Sequence, residues 1–206
     1  MERDSVYLGD RAIAIATLVR HARPVMLKVV KPDSCVVMSR LAVEVLRTFG
    51  VAADACSAEV IIANGKFAQL LGAGRIQMGE KLPQWAIDEG AWGIGLGYRP
   101  KPHEIGHVVC LAGDLILDLS LDQASRPQHT IELEPSVFCR GDTSIKEPSV
   151  FFVGDVVVSY QLRPARKQFK RSPDWRDFHQ RYRKQAGEVV RLVRQELKGE
   201  ERVGAV

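Results

Sequence analysis

Residues 106–123, GHVVCLAGDLILDLSLDQ, constrain the fold of this chain more than any other stretch. Two apolar runs flank Gly113 and Asp114, a turn-forming pair, so the segment predicts a β-hairpin. The first run nevertheless opens with His107, and the second carries Asp118. Because burying a polar group without a partner costs free energy, we expect these two side chains to pair.

The register of the hairpin decides whether His107 and Asp118 share a face. A two-residue loop at 113–114 places Asp118 opposite Val109, diagonal to His107 and on the same face. An even loop centred one position earlier places Asp118 directly opposite His107. A three-residue loop centred on Gly113 would turn Asp118 to the other face.

A helix is predicted to begin at Cys35 and to run to Gly50, a helix-ending glycine. The preceding KPDS offers Asp33 or Ser34 as the N-cap. The unpaired backbone N–H groups and the dipole at a helix start favour a thiolate over a thiol. Since both faces of the hairpin are apolar, we expect both to be covered, and the face that carries His107 to be covered by this helix.

Cys35, His107 and Asp118 offer, in chain order, a nucleophile, a base and a carboxylate that orients the base. An imidazole beside a thiol can take its proton, and a carboxylate behind the imidazole fixes its tautomer. His103, which follows Pro102 in a loop, is a competing base. The alternative is that Cys35 is a packed core thiol and Asp118 a strand-end cap or an ion-pair partner.

This pattern resembles the transglutaminase-like branch of the papain-like cysteine-nucleophile superfamily, which includes transglutaminases, arylamine N-acetyltransferases and bacterial peptidase-like proteins. A cysteine opens a helix, "GH" leads a strand, and an Asp within LDLSLDQ ends the next strand. The resemblance covers residues 30–125 and implies a transglutaminase-like catalytic core. It also implies that Cys35 is the nucleophile, His107 the general base and acid, and Asp118 the orienting carboxylate.

One departure from that pattern concerns the oxyanion hole. No Trp or Gly directly precedes Cys35, whereas several relatives have one there. The backbone N–H of Cys35 is a candidate donor to a developing oxyanion. The sequence offers no second donor.

The other segments predict an α+β fold in which helices are segregated from an antiparallel sheet. The predicted helices span 10–22, 83–88 and 172–198. The predicted strands span 51–64, 91–98 and 149–163, the last with a break expected at Gly154 and Asp155. Residues 24–30 are predicted to be extended. We therefore predict a single domain over 1–206, in which the core at 30–125 is followed by a basic C-terminal helical extension at 163–202.

The extension is rich in Arg and Lys, although the net charge of the whole chain is only +4. Its RPARKQFKRSPDWRDFHQRYRK segment interleaves aromatic and cationic side chains, as a nucleic-acid surface does. The alternative, which we favour, is an amphipathic helix whose aromatic rings pack on the sheet and whose charges face water. Acidic residues within the segment dilute its charge.

Several function classes are disfavoured by the composition. No apolar run reaches the roughly 18 to 20 residues of a membrane-spanning helix, and the N-terminal segment lacks a signal cleavage site, so we expect a cytoplasmic protein without a membrane partner. The four cysteines show neither a CxxC pair nor zinc-ligand spacing; they are Cys35, Cys56, Cys110 and Cys139. We expect reduced thiols and neither a metal nor an organic cofactor.

The sequence thus predicts a cysteine-dependent hydrolase or acyl transferase that acts on an amide or thioester of a peptide, a protein or a small molecule. Hydrolysis and acyl transfer are both open at this stage, as is the oligomeric state. The alternative is a non-catalytic transglutaminase-like binding module whose basic C-terminal helix contacts nucleic acid or a protein. A third possibility keeps the cysteine chemistry in a toxin or a phage-encoded modifier.

Overall fold

The structure, a computed structural model, describes residues 2–30, 35–97, 101, 104–140 and 147–203. The helices are α1 (Glu2–Met26), α2 (Cys35–Thr48), α3 (Gly65–Gly72), α4 (Gln84–Asp88), α5 (Pro173–Arg176) and α6 (Phe178–Val203). The strands are β1 (Asp54–Ala63), β2 (Gly93–Ile94), β3 (His107–Ala112), β4 (Leu115–Asp118), β5 (Ser136–Cys139), β6 (Ser149–Val153) and β7 (Val156–Arg163).

The strands form one antiparallel sheet in the order β5-β4-β3-β1-β7-β6, and β2 pairs with the end of β1. The sheet curls until its outer strands approach each other. Phe138 of β5 stacks on Phe151 of β6, and their ring centroids lie 4.6 Å apart. The result is a nearly closed sheet with helices outside it, which agrees with the predicted segregation of helices and antiparallel strands.

The two faces of β3 enter two different cores. One face packs with the helices α1, α2 and α6, and its residues are Val108, Cys110 and Ala112. The other face lines the inside of the curled sheet, together with residues of β1, β4 and β7. Alternation along the strand therefore separates a helical layer from the interior of the sheet.

The hairpin has the first of the registers considered from the sequence. Ala112 pairs with Leu115 across a two-residue turn, in which Gly113 has a φ of +64° that glycine adopts readily. Continuing this register places Asp118 beside Val109, and the hairpin prediction is confirmed.

The prediction that α2 covers the histidine face is wrong. It packs on the opposite face, where the Ser39 hydroxyl donates a 2.7 Å hydrogen bond to the Val108 carbonyl. His107 instead lies on the concave side of the sheet, the same side as Val109. The curling decides this, because it leaves the convex face as the surface on which α2 packs, with α1 and α6 packed against α2.

Helix α1 extends beyond both of its predicted ends. Residues 24–30 were expected to be extended, yet the helix continues through Pro24 to Met26. Val25 and Met26 are buried in the helical core, so tertiary packing outweighs the local preference of this apolar segment.

Two further differences lie where a capping residue starts a short helix. Asn64, expected in a turn with Gly65, instead caps the unpredicted α3 by accepting a hydrogen bond from the Phe67 N–H. Ser172 caps α5 as expected, but the chain breaks at Asp177 before α6 begins, so the C-terminal segment is two helices and not one.

The aromatic residues of the basic extension are largely used for packing. Phe169, Phe178 and Tyr182 are buried in the helical core, as an amphipathic helix requires, but α6 packs on α1 and α2 and not on the sheet as expected. These rings are therefore not exposed for stacking on bases. Within the described ranges, no helix combines the length and apolar character needed to cross a bilayer.

Candidate active site

Asp118 is the most completely bonded polar side chain of the site. Its side chain is fully buried. The Oδ2 atom accepts hydrogen bonds from Nε2 of His107 at 2.7 Å and from the hydroxyl of Tyr160 at 2.8 Å. The Oδ1 atom accepts from the backbone N–H and the hydroxyl of Ser120, each at 3.1 Å. An ionised carboxylate only accepts hydrogen bonds, so it is the group that can satisfy four converging donors.

The charge state of this carboxylate follows from its neighbours. Burial alone would raise the pKa of Asp118, but the charge of His107 and the hydrogen bonds from His107, Tyr160 and Ser120 outweigh it and lower the pKa. Asp118 is therefore a buried anion whose charge is matched by a specific partner.

His107 begins β3 directly after Gly106, whose φ of +68° turns the chain into the strand. The imidazole is 23% exposed, so one edge remains accessible. Burial by itself lowers the pKa of His107, but the charge and hydrogen bond of Asp118, with a smaller contribution from Cys35, raise it well above 6.5. Asp118 thus stabilises the protonated form of the His107 ring.

Cys35 is the first residue of α2 and is half-buried. Its thiol lies close enough to the His107 imidazole to contribute to the raised pKa of that ring. Because Nε2 of that ring is held by Asp118, Nδ1 is the nitrogen left for the sulfur. The three residues singled out from the sequence therefore come together in the order sulfur, imidazole, carboxylate. The candidate caps Asp33 and Ser34 lie outside the described residues, as does the competing base His103.

Two further residues of the site were missed from the sequence. Tyr160 lies on β7 and is fully buried, and Ser120 follows Asp118 by two positions. A tyrosine in an otherwise apolar strand signals that its hydroxyl needs a partner, but not which one. Burial and the nearby Asp118 charge raise the pKa of Tyr160 well above 10, so its hydroxyl stays a donor.

The other three cysteines occupy different surroundings. Burial raises the pKa of Cys56 and raises that of Cys110 to about 12. Cys139 is exposed, and its thiol donates to Oδ2 of Asp114 at 3.2 Å. None of these three contacts a histidine in the described part of the chain, which leaves Cys35 as the thiol beside a base.

A cavity of about 540 Å³ opens beside His107 and Asp118. Its walls are mostly apolar and come from β1, β2 and the 3₁₀ turn Leu121–Ala124. Among the described residues between 64 and 105, those that line it are Ile94 at the end of β2 and the following Gly95. The remaining wall follows from the curling of β1 toward the turn after β4, which no local pattern encodes.

The polar part of the wall comes from the loop after Asp118. Gln123 lines the cavity, as does Arg126, whereas Asp122 is engaged by Arg23 over 2.8 Å. Among the described residues, no group of three or more His, Cys, Asp or Glu side chains is placed to hold a metal ion.

Comparisons with known proteins return no relative of this chain. No family model matches, and neither does any curated protein or solved structure.

Proposed function

We propose that the protein is a cysteine-dependent hydrolase or acyltransferase with a transglutaminase-like core. One observation carries this proposal: the His107 ring bridges a buried, fully bonded carboxylate and the thiol of Cys35 at a helix start. A nucleophile, a base and an orienting group joined in this way are the requirements of covalent acyl transfer.

The first proton transfer follows from the contacts. Nδ1 of His107 takes the proton of the Cys35 thiol, which leaves a thiolate beside an imidazolium. Asp118 stabilises that imidazolium through Nε2, and Ser120 and Tyr160 hold the carboxylate in place. The raised pKa of His107 makes the ring a better proton acceptor for this step.

In the proposed acylation step, the sulfur attacks the carbonyl carbon of an amide or thioester and forms a carbon–sulfur bond. The carbonyl electron pair moves to the oxygen, and the backbone N–H of Cys35, at the start of α2, is the proposed donor to this developing charge. When the tetrahedral intermediate collapses, the bond to the leaving group breaks. The leaving amine or thiol takes the proton from His107.

The thioester on Cys35 is then resolved by water or by an amine. His107 removes a proton from this nucleophile as it attacks, and returns it to the sulfur as the thioester breaks. Water gives a carboxylic acid, and an amine gives a new amide. Both outcomes restore the free thiol and need no external oxidant or reductant.

An activated ester tests the proposal. We expect p-nitrophenyl hexanoate to add one hexanoyl group to the chain, detected by intact mass, with the group located on Cys35. Cys35→Ser should abolish this adduct, and Cys139→Ser, which removes an exposed thiol away from the base, should retain it. Acylation that is absent, or equal in the two variants, would reject the proposed function.

A further inference from the structure

The cavity beside His107 contains two carboxylates, and both are already paired. Asp118 is paired with His107. Glu59 is held by Arg163, whose Nε and Nη2 atoms lie 3.0 and 2.8 Å from its oxygens, and by Arg166 at 3.2 Å. These arginines lower the pKa of Glu59 and neutralise its charge. The acidic groups of the wall therefore leave little negative charge to repel an anion.

Arg126 is the charged residue of the wall that lacks such a partner. Its Nη1 atom donates to the backbone carbonyls of Gln123 at 3.0 Å and Ser125 at 2.7 Å. Within the described ranges, no carboxylate forms an ion pair with it. The Arg126 backbone is fixed as well, because it exchanges two hydrogen bonds with Ile131, at 2.7 and 3.2 Å. The guanidinium is thus held in place with other N–H groups available.

A second donor in the same wall lacks an acceptor. Nε2 of Gln123 is buried and has no hydrogen-bond partner among the described residues. A buried polar group of this kind costs free energy until an acceptor reaches it. Gln123 and Arg126 thus form the polar side of a cavity that is otherwise mostly apolar, and Arg126 supplies its unpaired charge.

We propose that this cavity binds acyl substrates with an apolar stem and a distal carboxylate, which Arg126 recognises. The stem lies along the apolar wall formed by Val60, Ile62 and Leu121. The reacting carbonyl lies at the His107 end, because Cys35 does not itself line the cavity and approaches it only at this ring. This inference rests on the proposed function for its reaction. A carboxylate is the better match than a phosphate, because one guanidinium offers a single positive charge in a planar fork.

The cavity is large enough for such a ligand. Its volume of about 540 Å³ lies within the range of small-molecule sites, roughly 300 to 1,000 Å³. Apolar walls with a few convergent polar groups are typical of sites that fix the orientation of a small ligand.

Two esters with six-carbon acyl chains test the inference. Mono-p-nitrophenyl adipate ends in a carboxylate, and p-nitrophenyl hexanoate ends in a methyl group. We expect the adipate-to-hexanoate ratio of kcat/KM to fall about tenfold or more in Arg126→Gln, since a charge-assisted contact is lost. Arg126→Lys, which keeps the charge without the fork, should give an intermediate ratio. Arg183→Gln, on the exposed surface of α6, makes the same change in charge and should leave the ratio unchanged.

The outcomes separate the two proposals. If both esters acylate Cys35 and the ratio is the same in wild type, Arg126→Gln and Arg126→Lys, the carboxylate inference is overturned and the proposed function stands. If neither ester acylates Cys35, the proposed function fails, and calorimetric binding of adipate to Cys35→Ser protein decides the inference. Adipate binding that exceeds hexanamide binding and requires Arg126 supports it. Equal binding, no binding, or displacement of adipate by equimolar inorganic phosphate at constant ionic strength overturns it.

Discussion

The hydroxyl of Tyr160 donates a 2.8 Å hydrogen bond to the same Asp118 oxygen that accepts from His107. The two residues are 42 positions apart, and their strands, β7 and β4, are separated in the sheet by β1 and β3. The contact exists because the sheet curls. The orientation of the candidate base is thereby coupled to the closure of the sheet.

Tyr160→Phe removes one of the four hydrogen bonds to Asp118. We expect kcat for acylation to fall about tenfold with little change in KM, because His107 is held less firmly, and the protein to lose about 1 kcal/mol of unfolding free energy. Ester kinetics and urea unfolding measure the two effects. Tyr182→Phe deletes a hydroxyl from the helical core and should lower stability at most, leaving kcat unchanged. An equal fall in kcat for both variants would contradict the assignment.

Asp118→Asn replaces a pure acceptor with an amide, while four donors still point at it. The amide cannot accept them all, and the imidazolium loses its counter-ion. We expect kcat to fall by a factor on the order of 10³. Asp114→Asn changes an exposed acid in the turn of the same hairpin and should keep most of the activity. Comparable rates in the two variants would show that Asp118 has only a structural role.

The His107–Asp118 pair predicts a specific dependence of stability on pH. Burial lowers the pKa of His107, but the charge and hydrogen bond of Asp118 raise it by a larger amount. The resulting pKa lies well above 6.5. The stabilisation is therefore complete below pH 6.5 and is lost as the pH rises through the raised pKa. The lowered pKa of Asp118 acts in the opposite direction, and its contribution is present above pH 3.8 and lost as the pH falls through the lowered value.

The measurement is the difference in unfolding free energy between wild type and His107→Gln at several pH values. We expect the unfolding free energy of wild type to exceed that of His107→Gln most at about pH 6, and this difference to decrease steadily above that pH. His179→Gln is the control: its 3.7 Å pair with Glu44 is solvent-exposed, so any trend should be much smaller. An advantage that grows with rising pH would contradict the ion pair.

Gly95 lets β2 approach β1 at the cavity wall. A Cβ atom at this position would lie 2.2 Å from the Val60 carbonyl oxygen, and its φ is +80°. Gly95→Ala should therefore displace β2 and lower both stability and ester turnover. Gly90→Ala has a similar φ of +90° but no atom within 4 Å of the added Cβ, so it should cost only about 1 kcal/mol. Thermal unfolding of both variants separates the clash from the backbone strain.

The sequence identified the elements of the site whose signals are local. Two apolar runs around Gly113 predicted the hairpin. Two of the registers considered, both with an even-length loop, kept Asp118 on the face of His107, and the observed register, with Asp118 beside Val109, is one of these two. The helix that starts at Cys35 was predicted from its cap signals and its closing glycine. In each case a short pattern fixes the structure, because neighbouring residues supply the turn or the periodicity.

The features that depend on closure of the sheet were not predictable in this way. Tyr160 reaches Asp118 across the interior, and Arg126 joins a wall built from distant strands. The placement of α2 on the convex face has the same origin, since alternation shows that both faces of β3 are apolar but not which one curls inward. Such contacts arise from the global curvature of the sheet.

The proposed ion pair between Cys35 and His107 is tested most directly by the pH dependence of alkylation by iodoacetamide. We expect Cys35 to react at about pH 6 roughly 100-fold faster than the exposed Cys139, with a rate that stays nearly flat up to about pH 8, because a thiolate is already present. In His107→Asn the rate should be low at pH 6 and rise about tenfold per pH unit, as for an ordinary thiol. Wild-type Cys35 that reacts no faster than Cys139, with the same rise in both proteins, would contradict the account.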